Sequence, residues 1–370
     1  MTPSSKLSRI RPFTEEDIPQ VADLHRRVFG TADHSSPELL DAYRTYLTQV
    51  YLNNPWRDDA VSPLVYREDG GKISGFLGVV PRRMSMNGHS LQAAITTNFA
   101  VDARSRGFVG VALLTAVLAG PQDLTIADES NATSRAIWEA LGGTTSLLYS
   151  MRWFYPLRPC RFALFVVRKK KLVPSFIPAV AAPVARALDA LAARILIRPL
   201  RSPEDRFFSE DMDYETLSSC LSEEKEKQSL RADYDDHSLS WVLQRADQMP
   251  RNGCLQKVLV KTERQEIAGW CLYYLNPGGV SEVVQFHAKT RFAHDVLNHL
   301  FYRAWRQGAT LLSGRMEPHL MQEFSDKHCL FHCGPQWLLV HSRRPELLRA
   351  FDRDDVCFSR LDGEWCFHFQ

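Results

Sequence analysis

Apolar residues at Ile18, Val21, Leu24 and Val28 recur at three- and four-residue spacing, which predicts an amphipathic helix. Thr14-Glu15-Glu16-Asp17 just before them supplies a polar N-cap and acidic first-turn residues, and Ser8–Phe13 reads as a short strand. A second helix is predicted over Pro37–Tyr51. Apolar runs at Pro63–Arg67, Ile73–Pro81 and Leu91–Val101 then predict three strands parted by Gly-rich or Asn-Gly turns. Beyond them the pattern gives a helix (Gly110–Ala119), a strand (Asp123–Ala127), a helix (Ala132–Leu141) and a strand (Ser146–Phe154). The order β-α-α-β-β-β-α-β-α-β is mixed α/β (α+β).

The same spacing returns later in the chain. Ile73-Ser74-Gly75-Phe76 corresponds to Ile267-Ala268-Gly269-Trp270, Phe99–Leu118 falls on Phe286–Trp305, and Leu124–Ala127 falls on Leu311–Gly314 without an internal gap. A chain of 370 residues exceeds one ordinary core, so the division expected is a first domain over 1–155, a helical linker over 156–200 and a second copy over 201–370. Within the linker, Lys169-Lys170-Lys171 precede the Ala-, Leu- and Val-rich stretch Pro174–Ile197, which Pro183, Arg186, Asp189 and Arg194 make a poor transmembrane span. Two readings stay open for 169–197: an amphipathic helix on an anionic membrane surface, or a helix that bridges two domains.

Composition narrows the function classes. Forty-five Lys and Arg balance 43 Asp and Glu, which gives no polyelectrolyte character and argues against a nucleic-acid partner. The first 18 residues hold no apolar run of signal-peptide type, so a cytoplasmic location is expected. Only Cys160 precedes residue 220 and no pair has CxxC spacing, which reads as free thiols. His328, Cys329, His332 and Cys333 include good zinc ligands, but strand alternation would turn the two thiols away from the two imidazoles, so no metal is expected.

The candidate chemistry lies at Val101-Asp102-Ala103-Arg104-Ser105-Arg106-Gly107-Phe108-Val109-Gly110-Val111, where a predicted strand runs into a helix. Backbone N–H groups and the helix dipole at such a turn can hold a pyrophosphate, and Gly107 and Gly110 permit close approach. This segment, with the element order, resembles the GCN5-related N-acetyltransferase (GNAT) superfamily, whose members carry V-x-P-x-x-R-G-x-G-x-G-x-x-L there. The resemblance covers about residues 8–155. It implies tandem GNAT-like domains, with mixed central sheets and helices on both faces. It also implies an acyl-CoA, acetyl-CoA first, held by Val101, Arg106, Gly107, Val109, Gly110 and Val111. The family's two later glycines fall on Val109 and Val111, where main-chain donors can still serve. Asn131-Ala132-Thr133-Ser134, ending at Gly142, resembles the family's N-x-x-A-x-x-x-Y-x-x-x-G helix and places Asn131 and Ser134 toward the pantetheine. The family's acidic Tyr is Trp138 here, whose indole has no proton to give.

Where relatives carry a carboxylate on the fourth strand, this chain has Thr96, Thr97 and Asn98. Asp128 and Glu129 are the nearest candidates for a general base, with helix capping as their other reading. Asp33 and His34 are suggested by position alone. The function expected is acyl-CoA-dependent N-acyl transfer by direct attack of a small-molecule amine. Two alternatives remain: a non-catalytic coenzyme-binding or assembly module, and transfer from an acyl carrier protein met by Arg82, Arg83, Arg104 and Arg106. Glu282, Arg315 and Glu317 are expected to wall an acceptor site between the halves. In the second copy the turn reads Ala293-His294-Asp295-Val296-Leu297, without glycine and with an added negative charge, so one coenzyme per chain is expected in the first copy.

Overall fold

The computed structural model describes residues 9–29, 37–171, 176–195, 206–223 and 230–369, so Asp33 and His34 lie outside the described residues. Its strands are β1 (Ile10–Pro12), β2 (Leu64–Arg67), β3 (Ile73–Met86), β4 (His89–Val101), β5 (Leu124–Ser130), β6 (Thr144–Ser146), β7 (Met151–Pro156), β8 (Phe207–Asp211), β9 (Leu230–Ala232), β10 (Cys254–Thr262), β11 (Ile267–Leu275), β12 (Val280–Ala288), β13 (Leu311–Arg315), β14 (Leu330–Cys333), β15 (Trp337–His341) and β16 (Val356–Cys357). They form two sheets. The first has the order β1-β2-β3-β4-β5-β15-β6, with β9 on β3 and β16 on β9; the second has the order β8-β10-β11-β12-β13-β7-β14.

These two orders follow one pattern. Along its main path each sheet is antiparallel except for one parallel pair in the middle, β4 with β5 and β12 with β13; the short off-path pair β16 with β9 is also parallel. The parallel pairs are joined by the helices Arg106–Leu118 and Ala293–Arg306. A crossover helix is what a parallel connection requires. In both copies the helix lies tight on its sheet at a glycine. A Cβ on Gly75 would meet Val109 Cγ1 at 2.4 Å, and one on Gly269 would meet Val296 Cγ2 at 3.0 Å.

The compact units are Met1–Ser150 with Leu221–Arg245 and Gly334–Gln370, and Met151–Cys220 with Ala246–Cys333. They cut the chain differently from a division at residues 155 and 200. The reason is an exchange of strands. The slot beside β5 is filled by β15 from late in the chain, and the slot beside β13 is filled by β7. The stretch Ser146–Phe154 is consequently not one strand: β6 and β7 join different sheets, with the helical turn Leu147–Ser150 between them. That turn is closed by Ser150 Oγ, which donates to the Ser146 carbonyl at 2.5 Å and accepts from the Leu338 amide at 2.9 Å. Tyr149 anchors it by donating to the Val356 carbonyl at 2.8 Å.

In the first unit, Val79, Ala94, Val109, Leu113, Leu114, Val117, Trp138 and Leu339 form one core. Each large aliphatic side chain there contributes about 1.5–3 kcal/mol by leaving water. In the second unit the core is built on Trp153, Val296, Leu297, Leu300, Phe301, Leu312 and Met316. Among the described residues, no helix is long and apolar enough to cross a membrane.

Candidate functional site

The first unit's parallel pairing ends at Thr96 opposite Ala127. Two residues further along each strand, Asn98 (φ 50°) and Glu129 (φ 73°) adopt left-handed backbone conformations that non-glycine residues rarely take. They turn the strands apart and open a cleft of about 430 Å³ between them. Such conformations cost about 1–3 kcal/mol each and persist where the surroundings enforce them, which is common at functional sites.

The surroundings here are a polar network on β4 and a clamp on β5. Asn98 Nδ2 donates to the Tyr51 hydroxyl at 2.7 Å and also to that of Tyr46, while Asn98 Oδ1 lies 3.1 Å from His25 Nε2. His25 Nδ1 is 3.0 Å from the Tyr43 hydroxyl. A neutral imidazole with its hydrogen on Nε2 satisfies both contacts, donating to Asn98 and accepting from Tyr43. Burial pushes the His25 pKa down to about 4, with the Asn98 hydrogen bond opposing, so this neutral form is the one present near pH 7. Burial likewise pushes the Tyr46 and Tyr51 phenols up, and they keep their protons.

On β5, the Glu129 carboxylate accepts from Gln336 Nε2 at 3.1 Å and lies 3.4 Å from the Arg360 guanidinium. Glu129 lines the cleft with Thr96, Asn98, Asn131, Ser134 and Trp138. Asp128 does not line it. Alternation along the strand turns Asp128 to the opposite face, fully buried, with Gly363 packed so closely that a Cβ there would sit 2.0 Å from its Oδ2. The helix cap is Asn131, whose side chain accepts the Ser134 amide at 2.9 Å, so neither acid caps. The Trp138 indole N–H is spent on the Val340 carbonyl at 3.1 Å.

The turn that begins the helix Arg106–Leu118 follows β4 directly. The first amides of a helix have no intrahelical acceptor, and here they belong to Arg106, Gly107 and Phe108. Gly107 has open space where its Cβ would stand, so nothing in the protein's own packing requires a glycine there. Gly110 faces Phe99 and Val101, Val109 is buried against Gly75, and Val111 is partly exposed. Val101 closes β4 in the core, so its contribution to a ligand is confined to the main chain. Arg82 cannot meet a carrier protein. It is buried, donates to the Asp362 carbonyl at 3.2 Å and the Leu361 carbonyl at 2.8 Å, and lies 4.3 Å over the Trp56 ring. Arg83 sits 3.6 Å from Asp235, and Arg104 is exposed.

Glu282, Arg315 and Glu317 are in the second unit and none lines the cleft. Glu282 is paired with Arg152 at 2.8 Å, Arg315 ends β13, and Glu317 lies 3.9 Å from His319. The cleft instead contains residues that sequence reasoning missed: His25, Gln336, Glu364, His368 and Phe369. His25 sits four residues after Val21 and seven after Ile18, on the helix's apolar stripe, which was its signal. The others had none, because the strand exchange alone brings 334–370 to the first unit. Phe369 stacks on Tyr43 at 3.9 Å, and Tyr46 donates to the Phe367 carbonyl.

A seven-strand order is common to the two sheets, and in the first the parallel pair splays over a polar cleft beside a helix N-terminus. The family described as acetyltransferase (GNAT) domain matches residues 9–119. No curated protein sequence matches the chain. Among solved structures, a probable N-acyltransferase of unknown function from Enterococcus faecalis has a TM-score of 0.58 at 10% identity over 90% of this chain and 72% of its own. A GCN5-related N-acetyltransferase from Kribbella flavida has 0.54 at 12%, over 90% and 70%. N-myristoyltransferase from Saccharomyces cerevisiae, with bound myristoyl-CoA, has 0.51 at 9%, over 90% and 77%. The chain has a GNAT-superfamily fold with two structurally similar sheets.

Proposed function

We propose that the first unit is an acyl-CoA-dependent N-acyltransferase that moves an acyl group, acetyl in the simplest case, to the amine of a small molecule. The observation that carries this reading is the pair of left-handed residues, Asn98 and Glu129, which hold the parallel strands apart and set a carboxylate on the wall of the cleft. The coenzyme supplies the activated acyl carbon. Main-chain N–H groups of Arg106, Gly107 and Phe108 would receive its pyrophosphate, with Asn131 and Ser134 along the pantetheine.

As the amine nitrogen bonds to the acyl carbon and the carbon–sulfur bond breaks, the nitrogen loses one proton and the sulfur gains one. Of the groups on the wall able to accept a proton, Glu129, His25, Glu364 and His368, Glu129 lies at the end of the splayed strand, and in this reading it takes up the first proton. Trp138 cannot supply the second, so water does. Alignment of the two reactants in the cleft accounts for most of the acceleration.

The test is release of free thiol from acetyl-CoA with a panel of amines, for the natural chain and for Glu129→Gln. Turnover is expected with at least one amine class. The substitution should lower it about 10²- to 10⁴-fold while coenzyme affinity stays unchanged. Coenzyme binding with no turnover for any amine would instead establish a non-catalytic module.

A further inference from the structure

Helices Pro159–Lys169 and Phe176–Ile195 form a hairpin pinned by Asp189, whose carboxylate accepts the amides of Cys160 at 2.8 Å and Arg161 at 3.1 Å. Despite an apolar composition, few of this hairpin's described side chains are fully buried. Of its described side chains between 159 and 191, only Ala185 and Asp189 are buried. Val184, Leu188 and Leu191 are 61%, 49% and 53% exposed, and their i, i+4, i+7 spacing sets them in one stripe along the second helix. Phe162, Leu164, Val166 and Val167 on the first helix are partly buried.

The charge of the segment is one-sided. Residues 159–195 hold seven Lys and Arg and a single acid, Asp189, a net of +6 in a chain whose total is +2. That acid is buried and used as a cap, while Arg168, Lys170 and Lys171 are exposed at the hairpin's tip. A second copy of the same surface would bring +6 against +6. An anionic lipid surface answers both features, since it takes up the aliphatic stripe and attracts the cations.

We propose that the helices Pro159–Lys169 and Phe176–Ile195 dock the protein on a membrane bearing anionic headgroups. The second helix lies in the interface through Val184, Leu188 and Leu191, and Arg168, Lys170 and Lys171 meet the headgroups. The helix does not cross.

Co-sedimentation of the full chain with phosphatidylcholine vesicles, with and without phosphatidylglycerol, tests this. Binding is expected only with phosphatidylglycerol, and it should weaken as salt is raised. Leu188→Glu with Leu191→Glu, and separately Lys170→Glu with Lys171→Glu, should each weaken it about tenfold or more. Both sites are exposed, and circular dichroism with unchanged coenzyme affinity checks that the fold is intact. Absence of binding to phosphatidylglycerol vesicles would overturn the proposal, as would binding equal in all three proteins. A dimer in solution that the Leu188/Leu191 variant dissociates would also overturn it, by making a second copy the occupant.

Discussion

The two sheets share an order, a parallel pair and a glycine-to-valine contact under the crossover helix, yet they differ at the place where chemistry would occur. In the first, the strands part at left-handed Asn98 and Glu129. The counterparts in the second are Gln285 and Met316, neither left-handed, and Met316 is 1% exposed in the core. Arg152 spans the same region, holding Glu282 at 2.8 Å and Ser313 at 3.0 Å. The helix start differs in the same direction. Gly107 faces open space, whereas its counterpart His294 is 3.1 Å from Lys327 Nζ, which also bonds Asn298. Packing common to both copies maintains the fold. What the first copy adds is two strained residues and an uncovered turn.

If the glycine contact is the shared structural element, alanine there should damage both copies, and unequally. Gly269→Ala should cost more, about 3 kcal/mol, because its Cβ would meet the His287 carbonyl oxygen at 2.4 Å, and backbone cannot move aside. Gly75→Ala should cost about 2 kcal/mol, since Val109 and Leu113 side chains can shift. Urea unfolding measures both, and equal, negligible effects would break the comparison.

The polar network of the first copy predicts a smaller, pH-dependent effect. His25 is held at about 4 when folded, below its unfolded value near 6.5. The unfolded chain therefore takes up a proton that the native chain resists, and stability falls as pH drops from about 6.5 towards 4. Between pH 7 and pH 5 this amounts to about 1–2 kcal/mol. His25→Gln should flatten that part of the acid limb. An unchanged slope would show that His25 is not the buried neutral group described.

The repeat was legible because local spacing survives divergence. The gapless register of Phe99–Leu118 on Phe286–Trp305 predicts that helices starting at Arg106 and Ala293, and strands starting at Leu124 and Leu311, correspond; they do. The left-handed turns were not legible. Asn98 is a residue that tolerates such a turn, but nothing nearby in sequence demands one, and its partners Tyr46, Tyr51 and His25 are 47 to 73 residues away. The strand exchange was invisible for a related reason. Trp337–His341 reads as a strand whichever sheet receives it, because alternation fixes which side chains share a face and not which neighbour supplies the hydrogen bonds. With residues 201–370 read as one copy, Gln336, Glu364, His368 and Phe369 could not be placed at the cleft. Asp128 and Glu129 were found together because they adjoin the strand end, and only the observed alternation separates the one on the wall from the one in the core.

The central claim is that the first copy alone carries the coenzyme, and titration calorimetry with acetyl-CoA tests it most directly. The account predicts a stoichiometry near one per chain. It also predicts that Gly107→Asp, which sets a carboxylate in the open space before the helix, weakens that event more than about tenfold, or about 1.4 kcal/mol. Two saturable sites per chain, or one site indifferent to Gly107→Asp in a folded protein, would contradict it.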